Sequence, residues 1–163
     1  MTKLITTFFY VGYMKPAPGT WGSAATLPVV LVLHLLGGFP AVAVGTVVAI
    51  LIGFWSIGRE LVMGEDPDPA HIVIDEVAGM MIALAPVSAG AWHADVAVTA
   101  LWPGWITAFL AFRLFDIWKP GPVGWADRAG GTSGVMLDDV FAGLFAAFVV
   151  VIGAGISHGV LGT

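Results

Sequence analysis

All six basic residues of this chain lie on or near one side of its apolar stretches, and that asymmetry limits the folds open to it more than any other feature. Aliphatic and aromatic residues dominate five stretches, at about 23–36, 41–58, 72–87, 96–118 and 140–157. Lys3 and Lys15 precede the first and Arg59 follows the second. Arg113 lies near the end of the fourth, and Lys119 and Arg128 fall in the connection after it. The connections 37–40 and 88–95 carry no Lys or Arg, and neither does the chain after residue 139. Alternation of this kind marks helices that cross a bilayer and keep their basic connections in the cytoplasm. Composition agrees: 58% of the 163 residues are hydrophobic and 10% are charged, whereas a soluble domain carries about 25% charged residues. Too little polar surface remains to coat a globule in water.

The expectation is an all-α, polytopic membrane helical bundle in a single domain over residues 1–163, with about five spanning helices. The N-terminus and the 59–71 and 119–138 loops face the cytoplasm, and the C-terminus lies outside. A span needs about 17–25 apolar residues, so the first and third stretches read as short. Gly37-Gly38-Phe39-Pro40 is a breaker cluster suited to a tight helical hairpin. Ala41, Gly45, Ala49 and Gly53 recur every fourth position and allow close packing of the second helix. At the N-terminus, Lys3 followed by the apolar run Leu4–Tyr13 has the outline of a signal peptide. The run is short, Lys15 and two prolines end it, and no Ala-x-Ala-like site follows. It reads instead as an interfacial amphipathic helix. A net charge of −5 argues against nucleic acid as a partner. The absence of cysteine removes disulfides, thiol nucleophiles and the usual structural zinc sites.

Of eleven carboxylates, only Asp95 falls on the outer side; the other ten lie in the windows 60–76 and 116–139, both cytoplasmic in this topology. Three segments in or beside those windows carry residues suited to chemistry. Lys15-Pro-Ala-Pro-Gly-Thr-Trp-Gly-Ser23 is a stiff loop leading into a helix, with Thr20 and Ser23 as hydroxyls and a helix start whose N–H groups favour an anion. Capping of the helix by Thr20 or Ser23 is the plainer reading. In the second segment Asp75 and Glu76 meet apolar helix at once, and Asp75 shares a face with Gly79. Carboxylates at that depth are costly unless paired or bound to a cation, although a favourable contact with the helix N-terminal dipole is the simpler role. Asp66 and Asp68, flanked by prolines, read as loop residues, and His71 as a lone surface histidine or a proton donor.

The third segment holds Arg113 and Asp116, three apart and able to pair with each other, then Lys119, Asp127, Arg128, Asp138 and Asp139. Asp138 reads as the N-cap of the fifth helix, with Asp139 in its first turn. Six carboxylates on one side, with only Arg113, Lys119 and Arg128 near them, leave the inventory short of positive charge. Hard oxygen donors without a His/Cys cluster point to magnesium or a similar ion.

The segments Pro16-x-Pro18-Gly-Thr-x-Gly-Ser23, Ile74-Asp-Glu-x-x-Gly79, Phe112-Arg-x-Phe-Asp-x-x-Lys-Pro-x-Pro122 and Gly134-Val-Met-x-Asp-Asp-x-x-Ala-Gly143 together resemble phosphatidylglycerophosphatase A. The likeness covers nearly the whole chain, in order and with the family's spacing. It implies a largely helical, magnesium-dependent lipid phosphatase converting phosphatidylglycerophosphate to phosphatidylglycerol. Soluble relatives share the motifs, so the expectation of a bacterial inner-membrane protein with its site at the cytoplasmic face rests on composition and on the sidedness of charge. On that reading Asp75, Glu76, Asp116 and Asp139 are catalytic, and these four with Asp127 and Asp138 supply the Mg2+ ligands. Thr20, Ser23, Arg113, Lys119 and Arg128 would bind the substrate phosphate. Water activated by the ion is preferred over a covalent intermediate, with an aspartyl-phosphate as the other route. Two other classes keep acids in membrane helices: a magnesium-dependent phospholipid-headgroup transferase, whose contiguous D-x-x-D-G run is missing here, and a cation transporter, whose charges would sit near the midplane.

Overall fold

A computed structural model describes residues 2–63 and 69–161; helices joined by short connections make up these residues, with no strand among them. Asp66 and Asp68, read as loop residues, lie outside the described residues. The helices are α1 (Thr2–Thr6), α2 (Pro18–Met63), α3 (Ile74–Ala94), α4 (Trp102–Trp118), α5 (Pro122–Ala129) and α6 (Gly131–Leu161). Short 3-10 turns, Val11–Tyr13 and Val98–Leu101, precede α2 and α4.

α2 is two helices joined at a break. Gly37 and Gly38 leave helical geometry, and Gly38 takes φ 62°, ψ −154°, a region that only glycine occupies freely. The second arm turns back along the first: a Cβ placed on Gly45 would lie 2.7 Å from Leu33 Cδ1. In one straight helix, residues twelve apart would be about 18 Å apart. Pro40 falls in the first turn of the returning arm, where its missing N–H costs no helical hydrogen bond. The turn packs on the far end of α3, with Gly38 against the Trp92 ring.

α3 is the central helix. Twelve of its 21 residues are buried, against three of 17 in α4. The other long helices turn large apolar side chains outward, among them Leu36 (79% exposed), Ile117 (72%) and Phe148 (65%). An outer surface of this kind suits lipid and not water. By length and composition, α2, α3, α6 and the segment Val98–Trp118 are apolar enough to cross a membrane. α3 and α6 meet through glycine: a Cβ on Gly79 would lie 2.5 Å from the Asp139 carbonyl oxygen, and one on Gly143 would lie 2.4 Å from the Gly79 carbonyl oxygen. Gly79 thus lets the backbones of α3 and α6 approach closely.

The structure corrects several sequence expectations. The first and third stretches are not short, because α2 starts at Pro18 and α3 runs on to Ala94. Small and polar residues there lower the hydropathy without stopping a helix. Residues 4–13 do not form one interfacial helix: Phe8, Phe9 and Tyr10 are left-handed, with φ from 43° to 69°. The Thr7 hydroxyl holds this turn, donating to the Lys3 carbonyl (2.5 Å) and accepting from the Tyr10 N–H (3.1 Å). Such local side-chain bonds compete with helix continuation. Asp138 is not an N-cap either. α6 begins at Gly131, so Asp138 and Asp139 lie about two turns inside it.

Candidate metal and phosphate site

The crossing of α3 and α6 decides where the acids meet. Asp75 lies four residues before Gly79 and Asp139 four before Gly143, so each projects one turn beyond the glycine contact on its own helix. One carboxylate oxygen each from Asp75, Glu76 and Asp139 lies within 4.8 Å of the others. The two acid pairs are built alike. Asp75 Oδ1 accepts from the Glu76 N–H (3.0 Å), and Asp138 Oδ1 accepts from the Asp139 N–H (2.9 Å).

These groups wall a cavity of about 500 Å³ that also contains Arg113, Asp116, Lys119 and Asp127. Arg113 Nη1 binds Asp116 Oδ2 at 2.6 Å, so the i,i+3 pair expected on α4 is present. The same nitrogen lies 3.5 Å from Ser23 Oγ, which itself donates to the Gly19 carbonyl. Lys119 ends α4 in a left-handed conformation and is shared by two carboxylates, Asp138 Oδ2 at 2.9 Å and Asp127 Oδ1 in closer contact. Burial alone would lower the Lys119 pKa, but hydrogen bonds to Asp127 and Asp138 outweigh it and hold the ammonium well above its usual value.

The N-terminal end of α2 opens onto the cavity through Ala17, Pro18 and Gly19. Gly19 is close enough that a Cβ would lie 2.1 Å from Glu76 Oε1. Helical periodicity explains the fate of the two hydroxyls. Ser23 is one turn on from Gly19 and braces Arg113 from behind the wall, whereas Thr20 is rotated by about 100° and does not line the cavity. Arg128 is exposed and also off the wall; it folds back along α5 over Gly124. The remaining candidates line one space: Asp75, Glu76, Arg113, Asp116, Lys119, Asp127, Asp138 and Asp139. Reading the sequence did not single out Pro69, Ala70, Ile72, Gly130 and Val135, which complete the wall. Their apolar or small side chains carry no chemical signal.

The residues present fit a divalent cation. Glu76 Oε2 and Asp139 Oδ1 are buried and have no hydrogen-bond partner among the described residues. Asp139 is 3% exposed, and an acceptor left bare at that depth costs about 1–3 kcal/mol, more if charged. Three carboxylates packed this closely also repel one another in a poorly screened interior. A bound cation relieves both penalties, and an all-oxygen donor set suits a hard ion such as Mg2+.

The model of the phosphatidylglycerophosphatase A family matches residues 4–154. The chain is 35% identical to phosphatidylglycerophosphatase A of Haemophilus influenzae over 150 residues, covering 90% of this chain and 85% of that one. It is 30% identical to phosphatidylglycerophosphatase A of Escherichia coli, covering 90% and 80%. A Bacteroides thetaiotaomicron protein, provisionally named a phosphatidylinositol-3-phosphatase, is 33% identical and 91% covered on both sides. No solved structure matches the chain. With the family model spanning all but its ends, this chain belongs to the phosphatidylglycerophosphatase A family.

Proposed function

We propose that this protein is a magnesium-dependent phosphatase that releases phosphate from phosphatidylglycerophosphate at the cytoplasmic face of a bacterial inner membrane. The observation that carries the reading is the close trio Asp75, Glu76 and Asp139, in which Asp75 and Asp139 are buried and Glu76 and Asp139 each keep a bare oxygen, beside Arg113 and Lys119 in one cavity. Family membership supports phosphomonoester hydrolysis and the lipid substrate. A cavity of about 500 Å³ suits a glycerophosphate headgroup, being in the usual range for small-ligand sites, while the acyl chains stay in the bilayer. Counted with the two arms of α2 apart, the described residues hold five apolar helical segments, which supports the sided arrangement of basic residues.

Asp75, Glu76 and Asp139 would hold the ion, with Asp116 and Asp138 lining the same space. When bound, magnesium supplies positive charge against the phosphoryl oxygens and makes water more acidic. Arg113 offers a planar guanidinium to the phosphate, held in place by Asp116 and Ser23. Lys119 adds a point charge, fixed by Asp127 and Asp138 and protonated throughout the neutral range. The N-terminal end of α2 adds its dipole and free N–H groups to the same anion. The water oxygen bonds to phosphorus as the phosphorus–oxygen bond to the glycerol breaks, and a proton passes to the departing alkoxide. Direct attack by water is favoured because the chain has no cysteine and His71 is bonded to Glu60, off the cavity wall.

Phosphate release from detergent-dispersed phosphatidylglycerophosphate, with and without MgCl2, tests the reading. Phosphatidylinositol-3-phosphate and soluble glycerol phosphate serve as competing substrates, because one relative carries a phosphoinositide name. Magnesium-dependent turnover that prefers phosphatidylglycerophosphate is expected. Equal turnover in chelator, or faster release from the phosphoinositide, refutes the ion or the substrate respectively. A nucleotide leaving group would mean a transferase, and ion flux in sealed vesicles a transporter.

A further inference from the structure

A second polar cluster lies beside the cavity and none of its members touches the chemistry. Glu60, near the end of α2, is 8% exposed, and both its oxygens are engaged. Oε1 lies 2.7 Å from His71 Nε2, and Oε2 accepts from the buried Thr6 hydroxyl in a very short contact. The His71 ring stacks on Tyr13 with centroids 5.4 Å apart. On either side of His71 the backbone is pinned as well. The Val73 N–H donates to the Thr6 carbonyl (2.8 Å), and Gly12 packs so closely that a Cβ there would lie 2.0 Å from the His71 carbonyl oxygen.

The clamped stretch, residues 69–73, has a double role in the architecture. Pro69, Ala70 and Ile72 form part of the cavity wall, and the next residues are Ile74, Asp75 and Glu76. Val73, at the N-cap of α3, gives no side-chain cap, and the side-chain bond to a first-turn N–H comes from Asp75, itself one of the groups to be positioned. The helix start is set from outside, by whatever holds residues 69–73.

We propose that Glu60 and His71 are positioning residues, a clamp that fixes the entry of α3 and so brings Asp75 and Glu76 into register with Asp139. The proposal rests on the cation reading above. Neutral His71 with its proton on Nε2 already satisfies Glu60, so the clamp holds in either charge state of the ring. Losing the imidazole leaves a buried carboxylate oxygen bare and frees the strap.

The test uses the full-length protein in detergent, titrated with MgCl2 and followed by melting temperature and by phosphate release. Support around metal ligands typically changes ion affinity 10–100-fold. In H71A and H71N, whose side chains fall short of Glu60, the magnesium midpoint of thermal stabilisation rises about tenfold. kcat falls at fixed magnesium, and KM for the lipid changes little. In H71Q, whose amide nitrogen reaches about as far as Nε2, the midpoint returns to within about twofold of wild type. Midpoints in H71A and H71N equal to wild type overturn the clamp, even if their magnesium-free melting temperatures drop, because that pattern is structural support alone. H71Q behaving like H71A overturns it too. A wild-type protein whose melting temperature and turnover ignore magnesium sinks the cation reading first, and the clamp with it.

Discussion

Replacing Gly79 by alanine puts the glycine contact between α3 and α6 to its sharpest test. The new Cβ would lie 2.5 Å from the Asp139 carbonyl oxygen and 2.6 Å from Phe112 Cε2, where ordinary contact begins at 3.4 Å. The backbone oxygen cannot rotate away, so the helices must separate by about 1 Å. The ligand oxygens of Asp75, Glu76 and Asp139 lie within 4.8 Å of one another. An ion held by all three would tolerate little further spread, so an extra ~1 Å would weaken its binding. A 1 Å error in catalytic geometry costs about 100-fold in rate. Gly79→Ala is therefore expected to lower kcat by about that factor and to raise the magnesium needed for half-activity. The helix itself gains about 1 kcal/mol of intrinsic propensity from the change, so insertion and helicity should survive. Phosphate release across a magnesium titration, with circular dichroism as the control, is the assay. Wild-type kcat and midpoint in G79A would show that the crossing does not set the site.

Asp139→Asn removes a charge from the trio while keeping its shape. It should cut phosphate release at least about 100-fold and abolish the magnesium-dependent rise in melting temperature, and retention of that rise would remove Asp139 from the ligand set. Lys119→Met tests the second cation. Because the folded pKa lies above the ordinary 10.5, the stability Lys119 contributes is fully present below that value and is lost as pH climbs through the folded one. The melting-temperature gap between wild type and K119M should hold steady from about pH 8 to 10 and narrow only above; a gap that closes by pH 9 contradicts the two ion pairs. Gly38→Ala meets both a glycine-only conformation and the Trp92 ring at 1.9 Å. It should cost about 1–3 kcal/mol or more of stability with the magnesium midpoint unmoved, and a shifted midpoint would show that the far turn communicates with the site.

Much of this arrangement is legible in the sequence because membrane helices announce themselves by composition. The apolar runs, the Gly37-Gly38 hairpin and the pairing of Arg113 with Asp116 follow from hydropathy, breakers and helical spacing. Asp75 and Gly79 on one face follow from periodicity alone. Helix starts were harder to read. Residues 131–139 carry too little hydropathy to register as part of a span, so the acids at 138 and 139 looked like a cap when they lie inside α6. The partners in this cluster could not be read either: Glu60 is eleven residues from His71 across a connection, and Thr6, which bonds to Glu60, comes from near the N-terminus. Thr20 and Ser23 show how a motif overstates itself. Both hydroxyls looked equally suited to phosphate, yet one turn of helix sends Ser23 to Arg113 and Thr20 elsewhere.

The glycine contact between α3 and α6 also sets a timetable for biosynthesis. Asp75 and Glu76 enter the bilayer boundary early, with the third apolar segment, but Asp139 and Gly143 emerge from the ribosome more than sixty residues later. Until that last helix docks, two acids wait without their counterpart. On the proposed cation reading, an ion could be held only after the final helix has joined the bundle, and a nascent chain stalled between α4 and α6 would be inserted, helical and inert.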